Sequence, residues 1–357
     1  MFGLVKRLQR RVGIILLCIS PGGISYAVIP QFEAGVSAGT VESSLLNEAS
    51  GLSASRKNKN VLWAHNDSGD SARVFAMSTT GRHLGIYNLS GAATVDWEDM
   101  ALGPGPVDGI DYLYLGDIGD NGATRPYVKV YRVPEPVVDA NQSPVNTTLA
   151  GVQAITLQYP DGARDAETLM VDPLTKDIYI ISKRETYSRL YRASYPQSTT
   201  AVITMEYKCS LPWGWATGGD ISADGREIIV RGYFNASVWQ RDRDADLSEA
   251  FSNSQFPAPL RSEPQGEAIC FVKGFGCGYF TVSENIGQPI YYFRRILPTD
   301  LDNDCDVDMA DLAVFVNRWL NSDCSVPDYC SGADLNDNNV VEFGDFVILA
   351  GDWLYGR

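Results

Sequence analysis

The feature that most constrains this chain is a unit that occurs five times between residues 47 and 295. Each copy places an acidic residue before a short apolar run, then continues through a turn into a second β-rich run and a third. The acidic positions are Glu48, Glu98, Glu167, Asp220 and Glu267. Units of about 45–50 residues with four short strands are typical of β-propeller blades. The pattern therefore predicts a mainly β fold containing a five-bladed β-propeller.

The ends of the propeller segment predict how its ring closes. Three units have a fourth strand-like run, "HLGIYNL", "VQAITLQY" and "AVITMEY", whereas the fifth has none after "IYYFRR". The N-terminal stretch "FEAGVSAGTV" is the candidate for the missing strand. Such a closure, with strands from both ends of the segment in one blade, would remove a free sheet edge. Six blades would require the long second unit to be split.

Propeller geometry predicts where the acidic residues meet. The first strand of each blade is innermost and starts at one face, and the second strand ends at that face. We call this end of the central channel the channel mouth. The residues expected there beside the five acids are those that end the second strands: His65, Asn66, Asp67, Asp117, Asp120, Asn121, Lys183, Arg184, Arg231, Glu284 and Asn285.

Acids that converge on a channel raise one another's pKa, so they need a role or a partner. They could hold calcium or another hard cation, act as general acids, or accept backbone N–H bonds in a structural role. The second strands end unequally, in Asp, Lys, Arg or Glu, which favours one asymmetric site. The catalytic candidates are Glu98, Glu167 and Glu267. Asp99, Asp117 and Asp120 are candidate metal ligands or supporting groups.

Two other groups of side chains are expected near the channel mouth. Trp213 and Trp215 in "LPWGWATGGD" could stack on a sugar ring or pack on a neighbouring blade. Lys183, Arg184 and Arg231 could hold an anionic group of a ligand or pair with the acids. The sequence leaves both alternatives open.

The C-terminal segment contains a second repeat. "DLDNDCDVDMAD" (300–311) and "DLNDNNVVEFGD" (334–345) place side-chain oxygens at loop positions 1, 3, 5 and 12, and each runs into an amphipathic helix pattern. Calcium requires six to eight oxygen ligands, which such spacing supplies. The pair resembles a dockerin domain. The resemblance implies as calcium ligands Asp300, Asp302, Asp304, Asp311, Asp334, Asn336, Asn338 and Asp345, with backbone carbonyls of Asp306 and Val340.

The dockerin resemblance implies a small α-helical module that binds two calcium ions and a cohesin-type receptor. Loop position 6, usually glycine, is Cys305 in one repeat and Asn339 in the other. Positions 10 and 11 are Met309–Ala310 and Phe343–Gly344, which leaves the cohesin type open. The alternative is an acidic tail without a fold.

The N-terminus predicts export. A basic segment, the apolar run "VGIILLCIS" and a small-residue site ending at Ala27 match a secretion signal. The predicted organisation is a signal peptide at 1–27, a propeller at 28–297 and a dockerin at 298–357, in a protein that is secreted or attached to the cell surface. The apolar run is shorter than the ~20 residues that span a bilayer, and no other segment is a candidate.

The charge argues against nucleic acid and anionic membranes as partners. The net charge is −15, and residues 300–357 hold 12 Asp and one Glu against two Arg. Such a balance favours cations. Zinc is not expected because the chain has no CxxC pair and only two histidines, His65 and His83. Cys324 could pair with Cys330, and Cys270 with Cys277.

The propeller segments "W-x-HNDSGD", "DWED" and "GDIGDN" are similar to those of a group of exported bacterial proteins whose activity is not established. A weaker, fold-level likeness is to calcium-dependent propeller phosphohydrolases such as phytases and apyrases. The chain has no nucleophile elbow, P-loop or dinucleotide fingerprint. The leading hypothesis is a hydrolase of extracellular polysaccharide or phosphate ester, docked through a cohesin. The alternative is a non-catalytic propeller that binds carbohydrate or another ligand.

Overall fold

The computed structural model describes residues 17–20, 23–26, 29–272, 277–325 and 328–353. Most of the predicted signal, including the cleavage site at Ala27, lies outside the described residues. The described part of the predicted signal forms two short strands, β1 (Leu17–Ser20) and β2 (Gly23–Tyr26), which pair antiparallel. In the part of the chain that the structure describes, no helix is long and apolar enough to cross a membrane.

The chain forms two compact units. The propeller unit comprises Ala34–Lys273 and Tyr279–Phe293, and the C-terminal unit comprises Met1–Glu33, Gly274–Gly278 and Arg294–Arg357. The domain boundaries inferred from the sequence stay a prediction.

The propeller unit is built almost entirely from strands. They are, in chain order, β3 (Val36–Thr40), β4 (Ala49–Ala54), β5 (Val61–Asn66), β6 (Arg73–Ser78), β7 (His83–Leu89), β8 (Trp97–Pro104), β9 (Asp111–Asp117), β10 (Val128–Pro134), β11 (Val145–Leu149), β12 (Gln153–Gln158), β13 (Ala166–Val171), β14 (Ile178–Ser182), β15 (Arg189–Ala193), β16 (Ile203–Thr204), β17 (Glu206–Ser210), β18 (Gly218–Ile221), β19 (Glu227–Arg231), β20 (Ala236–Gln240), β21 (Phe256–Ala258), β22 (Gly266–Phe271), β23 (Gly278–Ser283) and β24 (Pro289–Arg294). A short helix, α1 (Leu247–Ala250), precedes β21.

These strands form five blades, as the repeat predicts. The sheet orders from the inside outwards are β4-β5-β6-β7-β11, β8-β9-β10-β12-β16, β13-β14-β15-β17, β18-β19-β20-β21 and β22-β23-β24-β3. In the first two blades an extra outer strand, β11 or β16, pairs parallel with the fourth strand. The predicted closure is confirmed, because β3 pairs antiparallel with β24.

The first strands of the blades line the channel. β4, β8, β13, β18 and β22 contact one another in a closed ring. Their side chains are buried almost throughout, because one face packs on the next blade and the other faces the channel. Between blades one and two the core includes Trp63 and Trp97, both fully buried, together with Leu113 and Tyr131.

The C-terminal unit contains two helices, α2 (Met309–Val316) and α3 (Phe343–Gly351). Its core collects Leu301, Val307, Phe315, Val341 and Leu349 from both repeats. A bridge between Ser322 and Val340 joins the linker to the second loop.

One of the two cysteine pairings considered from the sequence is present. Cys324 and Cys330 form a disulfide bond across a short turn, as predicted. The pairing of Cys270 with Cys277 is wrong, because both are thiols and Cys270 is a fully buried residue of β22. Cys277 instead contacts Cys305.

Candidate functional site

The glutamates of the channel mouth occupy one repeated backbone feature. Three inner strands have a β-bulge at the same register, and the bulged residues are Glu98, Glu167 and Glu267. In β4 the bulged residue is Ser50, whereas β18 pairs without a bulge. A bulge re-aims the side chain of the extra residue. The fold therefore presents three glutamates and one serine at equivalent places.

A second tier of polar residues lies two positions before the first. It contains Glu48, Asp96, Asp165 and Gln265. Asp96 and Asp165 are site residues that the sequence reasoning missed, although "DWE" and "DAE" share the Asp-x-Glu spacing. Glu48, aligned with Glu98 in the sequence analysis, belongs to this outer tier and is exposed.

Five carboxylates form two trios that share Glu98. Ligand oxygens of Asp67, Asp96 and Glu98 lie within 4.8 Å of one another, as do those of Glu98, Asp165 and Glu167. We call these five side chains the mouth carboxylates. Such short separations between like charges require a proton or a cation among them.

Glu98 is the least compensated member. Its side chain is buried, with 3% of the residue exposed. Burial first, and the nearby Glu167, Asp67 and Asp96 carboxylates next, raise the pKa of Glu98 to about 12. Gly119 makes room for this arrangement, because a Cβ there would collide with Glu98 and Asp96.

Glu167 belongs to a chain of hydrogen bonds that crosses the mouth. The Lys183 ammonium donates to Glu167 and, at 2.9 Å, to the Tyr233 hydroxyl. That hydroxyl donates to Glu267 Oε1 at 3.0 Å. Burial raises the pKa of Glu167 to about 8, although Lys183 opposes the shift. The second oxygens of Glu167 and Glu267 are buried with no hydrogen-bond partner among the described residues.

Asp165 links the mouth to Arg184. One carboxylate oxygen accepts the Asp120 N–H at 2.8 Å, and the other accepts from Arg184 Nε at 2.5 Å. Arg184 also donates to Asn121 Oδ1, and its guanidinium lies 5.9 Å from the Trp215 ring centre. Arg184 is therefore paired within the protein.

Asp117 and Asp120 shape the loop that contains Gly119. Asp117 Oδ1 accepts the Asp96 N–H at 3.0 Å and a guanidinium N–H of Arg125 at 2.9 Å. Asp120 Oδ2 accepts the Arg125 backbone N–H at 2.6 Å. Both carboxylates have partners within this segment and position the loop.

Asp99 and Asp220 join neighbouring blades. Asp99 Oδ2 accepts the Leu169 N–H at 2.9 Å, and Asp220 Oδ2 accepts the Phe271 N–H at 2.9 Å. Both acids therefore accept backbone N–H bonds, which is the structural role that the sequence analysis offered as one of three alternatives. Because β18 has no bulge, Asp220 lies farther along its strand than the bulged glutamates and lines a small cavity with Arg56.

Arg231 is buried in an ion pair. Its Nη1 lies 2.9 Å from Glu263 Oε2 and donates to the Ala268 carbonyl at 3.2 Å. Glu263 lies in the segment before β22 and was not identified from the sequence. The pair explains how a fully buried guanidinium is tolerated.

The remaining predicted residues of the second-strand ends have mixed roles. His65 is buried, its Nδ1 lies 2.7 Å from the Asn66 carbonyl oxygen, and burial lowers its pKa. The Asn66 amide oxygen accepts two backbone N–H bonds from the turn before β4. At the rim, burial and the nearby Glu267 raise the pKa of Glu284 to about 8, and burial raises that of Asp67 to about 6.

The two tryptophans differ. Trp213 packs 6.2 Å from Trp239 between ring centres and donates its indole N–H to Gln255 at 3.1 Å. Trp215 is 50% exposed and has φ of 68°. Its backbone N–H donates to the Lys183 carbonyl at 2.9 Å, which ties it to the mouth.

In the C-terminal loops, carboxylates accept hydrogen bonds from backbone N–H groups of their own repeat. Asp311, at position 12, accepts the backbone N–H groups of Leu301 at 2.6 Å and Asp308 at 2.7 Å. Asp345 repeats both bonds in the second loop, at 2.7 and 2.9 Å. The bonds from Leu301 and Leu335 close each loop onto the start of the helix that follows it, and the bonds from Asp308 and Glu342 cap that helix.

Position 1 repeats in the same way. Asp300 accepts the N–H groups of Asp304 at 2.9 Å and Cys305 at 3.2 Å, and Asp334 accepts the equivalent pair. Position 6 is left-handed in both loops, with φ of 83° at Cys305 and 70° at Asn339. The two loops therefore share one wrapped conformation.

The oxygen donors of the first loop converge. Ligand oxygens of Asp300, Asp302 and Asp311 lie within 4.8 Å of one another. In the second loop, the side-chain oxygens of Asn336 and Asn338 each accept an N–H at 3.0 Å from two residues farther along the loop. The donors fit a hard cation, which prefers oxygen ligands.

Of the three comparisons with known proteins, the search of solved structures finds matches. No family model and no curated protein matches this chain. Among solved structures, the PQQ-bound aldose sugar dehydrogenase from Streptomyces coelicolor is 11% identical, with 74% of this chain and 98% of that chain covered and a TM-score of 0.40. An auxiliary nutrient binding protein from Bacteroides thetaiotaomicron is 8% identical, with 75% and 66% covered and a TM-score of 0.39. Similarity at this level says nothing about the chemistry of the channel mouth.

Proposed function

We propose that the propeller is a calcium-dependent hydrolase of extracellular polysaccharide with its active site at the channel mouth. The observation that carries the proposal is the buried Glu98 carboxylate, which two carboxylate trios share. A buried carboxylate is costly unless a proton or a counter-charge compensates it. A divalent cation among the trios would remove that cost.

The donor set fits calcium. The mouth carboxylates supply oxygen ligands alone, which is the preference of a hard cation. When bound, calcium would polarise the scissile group and lower the pKa of an attacking water. Glu98, Asp96, Asp67 and Asp165 are the residues that would hold the ion.

Glu167 is suited to move a proton. Burial raises its pKa to about 8, close to the pH at which a general acid or base is most effective. Lys183 orients one of its oxygens, and the other is buried without a partner among the described residues. That second oxygen is the one available to take a proton from water or return it to a leaving group.

Charge at the mouth favours a glycan over a phosphate ester. The cations described there are each paired: Lys183 with Glu167, Arg184 with Asp165 and Arg125 with Asp117. An anionic ester would have to rely on the metal alone, whereas a neutral sugar would not. The half-exposed Trp215 offers an aromatic face of the kind on which sugar rings stack.

The asymmetry of the ring favours an enzyme over a repeated binding module. Glutamate occupies the bulge in three blades, serine in one, and the fourth blade has no bulge. A lectin-like propeller would be expected to repeat one pocket in every blade. The arrangement supports one central site.

For the C-terminal unit we propose a dockerin-like module that holds two calcium ions and binds a cohesin-type receptor, on a protein that is exported. The matching hydrogen bonds at positions 1, 6 and 12 of both loops support this. Under this proposal the module delivers the hydrolase to a polysaccharide-degrading assembly.

The test is the calcium stoichiometry of the full chain. Calcium is first removed with a chelator, and the calcium that rebinds is then measured by calorimetry and elemental analysis. We expect about three ions per chain, two of them in the C-terminal loops. Glu98→Gln should remove one ion, whereas Glu284→Gln, a rim acid outside both trios, should remove none. Two ions in every form would exclude the metal at the mouth.

Activity is then screened on a panel of polysaccharides and on p-nitrophenyl phosphate, with and without calcium. Calcium-dependent release of reducing ends supports the proposal. Phosphate release would reassign the substrate class. Calcium-dependent glycan binding without turnover would identify a non-catalytic propeller.

A further inference from the structure

Two thiols meet in the C-terminal unit. Cys277 belongs to the segment Gly274–Gly278 of that unit, and Cys305 occupies position 6 of its first loop. Their side chains are in hydrogen-bonding contact, and both are partly buried. The Arg295 N–H donates to the Cys277 carbonyl at 3.1 Å and holds the backbone there. We propose that Cys277 and Cys305 form a second disulfide bond in the mature protein.

The other cysteines leave this pairing as the available one. Cys324 and Cys330 are already bonded to each other. Cys270 is fully buried in β22, within the core that also contains Phe280 and Val282. Cys209 belongs to the propeller unit and packs against the core cluster that contains Leu211 and Trp239. Cys277 and Cys305 can therefore bond to each other without any change in the position of Cys209, Cys270, Cys324 or Cys330.

The backbone at Cys305 gives an independent reason for a covalent bond there. Its φ of 83° is in the left-handed region, which favours glycine and tolerates asparagine. The second loop has Asn339 at this position, and that residue adopts the conformation at less cost. A disulfide at Cys305 would hold the position in the conformation in which its N–H donates to Asp300 Oδ2 at 3.2 Å.

The bond forms by thiol–disulfide exchange with a disulfide oxidant of the compartment to which the chain is exported. The thiolate of one cysteine attacks a sulfur of the oxidant R–S–S–R and expels R–S⁻. The second thiolate then attacks the mixed disulfide and expels the other R–S⁻. The products are the Cys277–Cys305 bond and two R–SH, so the oxidant takes two electrons and the two thiol protons.

The test uses the full chain, purified from an oxidising compartment without reductant. The protein is denatured, alkylated, digested without reduction and analysed by mass spectrometry. We expect one linked peptide pair containing Cys277 and Cys305 and another containing Cys324 and Cys330, with Cys209 and Cys270 alkylated. The Cys324–Cys330 bond serves as an internal control for oxidising conditions.

Alkylated Cys277 and Cys305 in molecules that retain the Cys324–Cys330 bond would overturn the proposal. A link between Cys270 and Cys277 would overturn it as well. Neither outcome depends on calcium binding or on hydrolysis; the inference rests on the proposed export alone, and the Cys324–Cys330 bond reports separately on whether the compartment is oxidising.

A second measurement compares melting temperatures with and without dithiothreitol. Reduction should lower the melting temperature of the wild-type C-terminal unit by about 5–10 °C more than that of the Cys277→Ser, Cys305→Ser double variant. Cys209→Ser is the matched control and should behave as the wild type. Equal reductions in all three proteins would contradict the proposed bond.

Discussion

The channel mouth and the C-terminal loops both gather carboxylates, but the two regions compensate them differently. Asp311 and Asp345 each accept several backbone N–H bonds from their own loop. Glu98 instead faces other carboxylates, which together with burial raise its pKa to about 12. In the loops burial raises the pKa of Asp311, and the backbone N–H groups that donate to this carboxylate oppose that rise. At the mouth Glu98 instead holds a proton unless a cation replaces it, which is why we place the chemistry there.

The largest effect that would sharpen this contrast is expected at Glu167. Glu167→Gln keeps the shape of the side chain but removes the group that exchanges a proton, so kcat/KM on the polysaccharide should fall by ~10²–10⁴. Glu284→Gln is the matched control, because Glu284 has a similarly raised pKa but lies outside both trios. Initial rates at saturating calcium measure both. Equal rates for Glu167→Gln and the wild type would remove Glu167 from the mechanism.

The second-largest effect tests whether each C-terminal loop binds calcium independently of the other. Asp345→Ala removes a proposed calcium ligand and the acceptor of the Leu335 and Glu342 N–H groups. Calcium affinity of the second loop should fall at least ~100-fold while the first loop keeps its own. Asp337→Asn changes the same charge in the same loop outside the ligand positions and should have little effect. If calorimetric titration showed that Asp345→Ala lowers the calcium affinity of both loops, the loops would not bind calcium independently.

A third prediction concerns pH. Burial, followed by the nearby carboxylates, raises the pKa of Glu98 from its ordinary value of 4.5 to about 12 in the fold. Between these values the folded state binds more protons, so without calcium the propeller's free energy of unfolding should decrease as pH rises from 5 to 8. Glu98→Gln should flatten this dependence. It should also raise the propeller's free energy of unfolding by about 1–3 kcal/mol at pH 8. Urea unfolding in chelator measures both, and a wild-type stability that rises with pH would refute the account.

The smallest expected effect concerns Trp215. Trp215→Ala should raise KM for the polysaccharide about two- to twelvefold with little change in kcat, because aromatic stacking contributes ~0.5–1.5 kcal/mol to binding. Trp215→Phe retains an aromatic face and should recover most of the affinity. A normal KM for Trp215→Ala would show that the sugar lies elsewhere.

The features predicted correctly from the sequence are those encoded by short, repeated patterns. The repeated unit of an acidic residue followed by β-rich runs identified the five blades, and the missing fourth strand after "IYYFRR" pointed to Val36–Thr40. The Cys324–Cys330 bond followed from close spacing. Each feature depends on neighbours in the chain or on a repeat of the same unit, so it can be seen without the fold.

What the sequence by itself determined is the architecture: the number of blades, the strands that line the channel and the strand that closes the ring. Only the tertiary structure decided which acids meet. Glu48, Glu98 and Asp220 look equivalent in the sequence, yet a one-residue bulge brings Glu98 into the trios, Glu48 lies a tier farther out, and the bulge-free β18 directs Asp220 to a blade contact. A bulge is a property of how two strands pair, and distances between blades arise only when the ring closes.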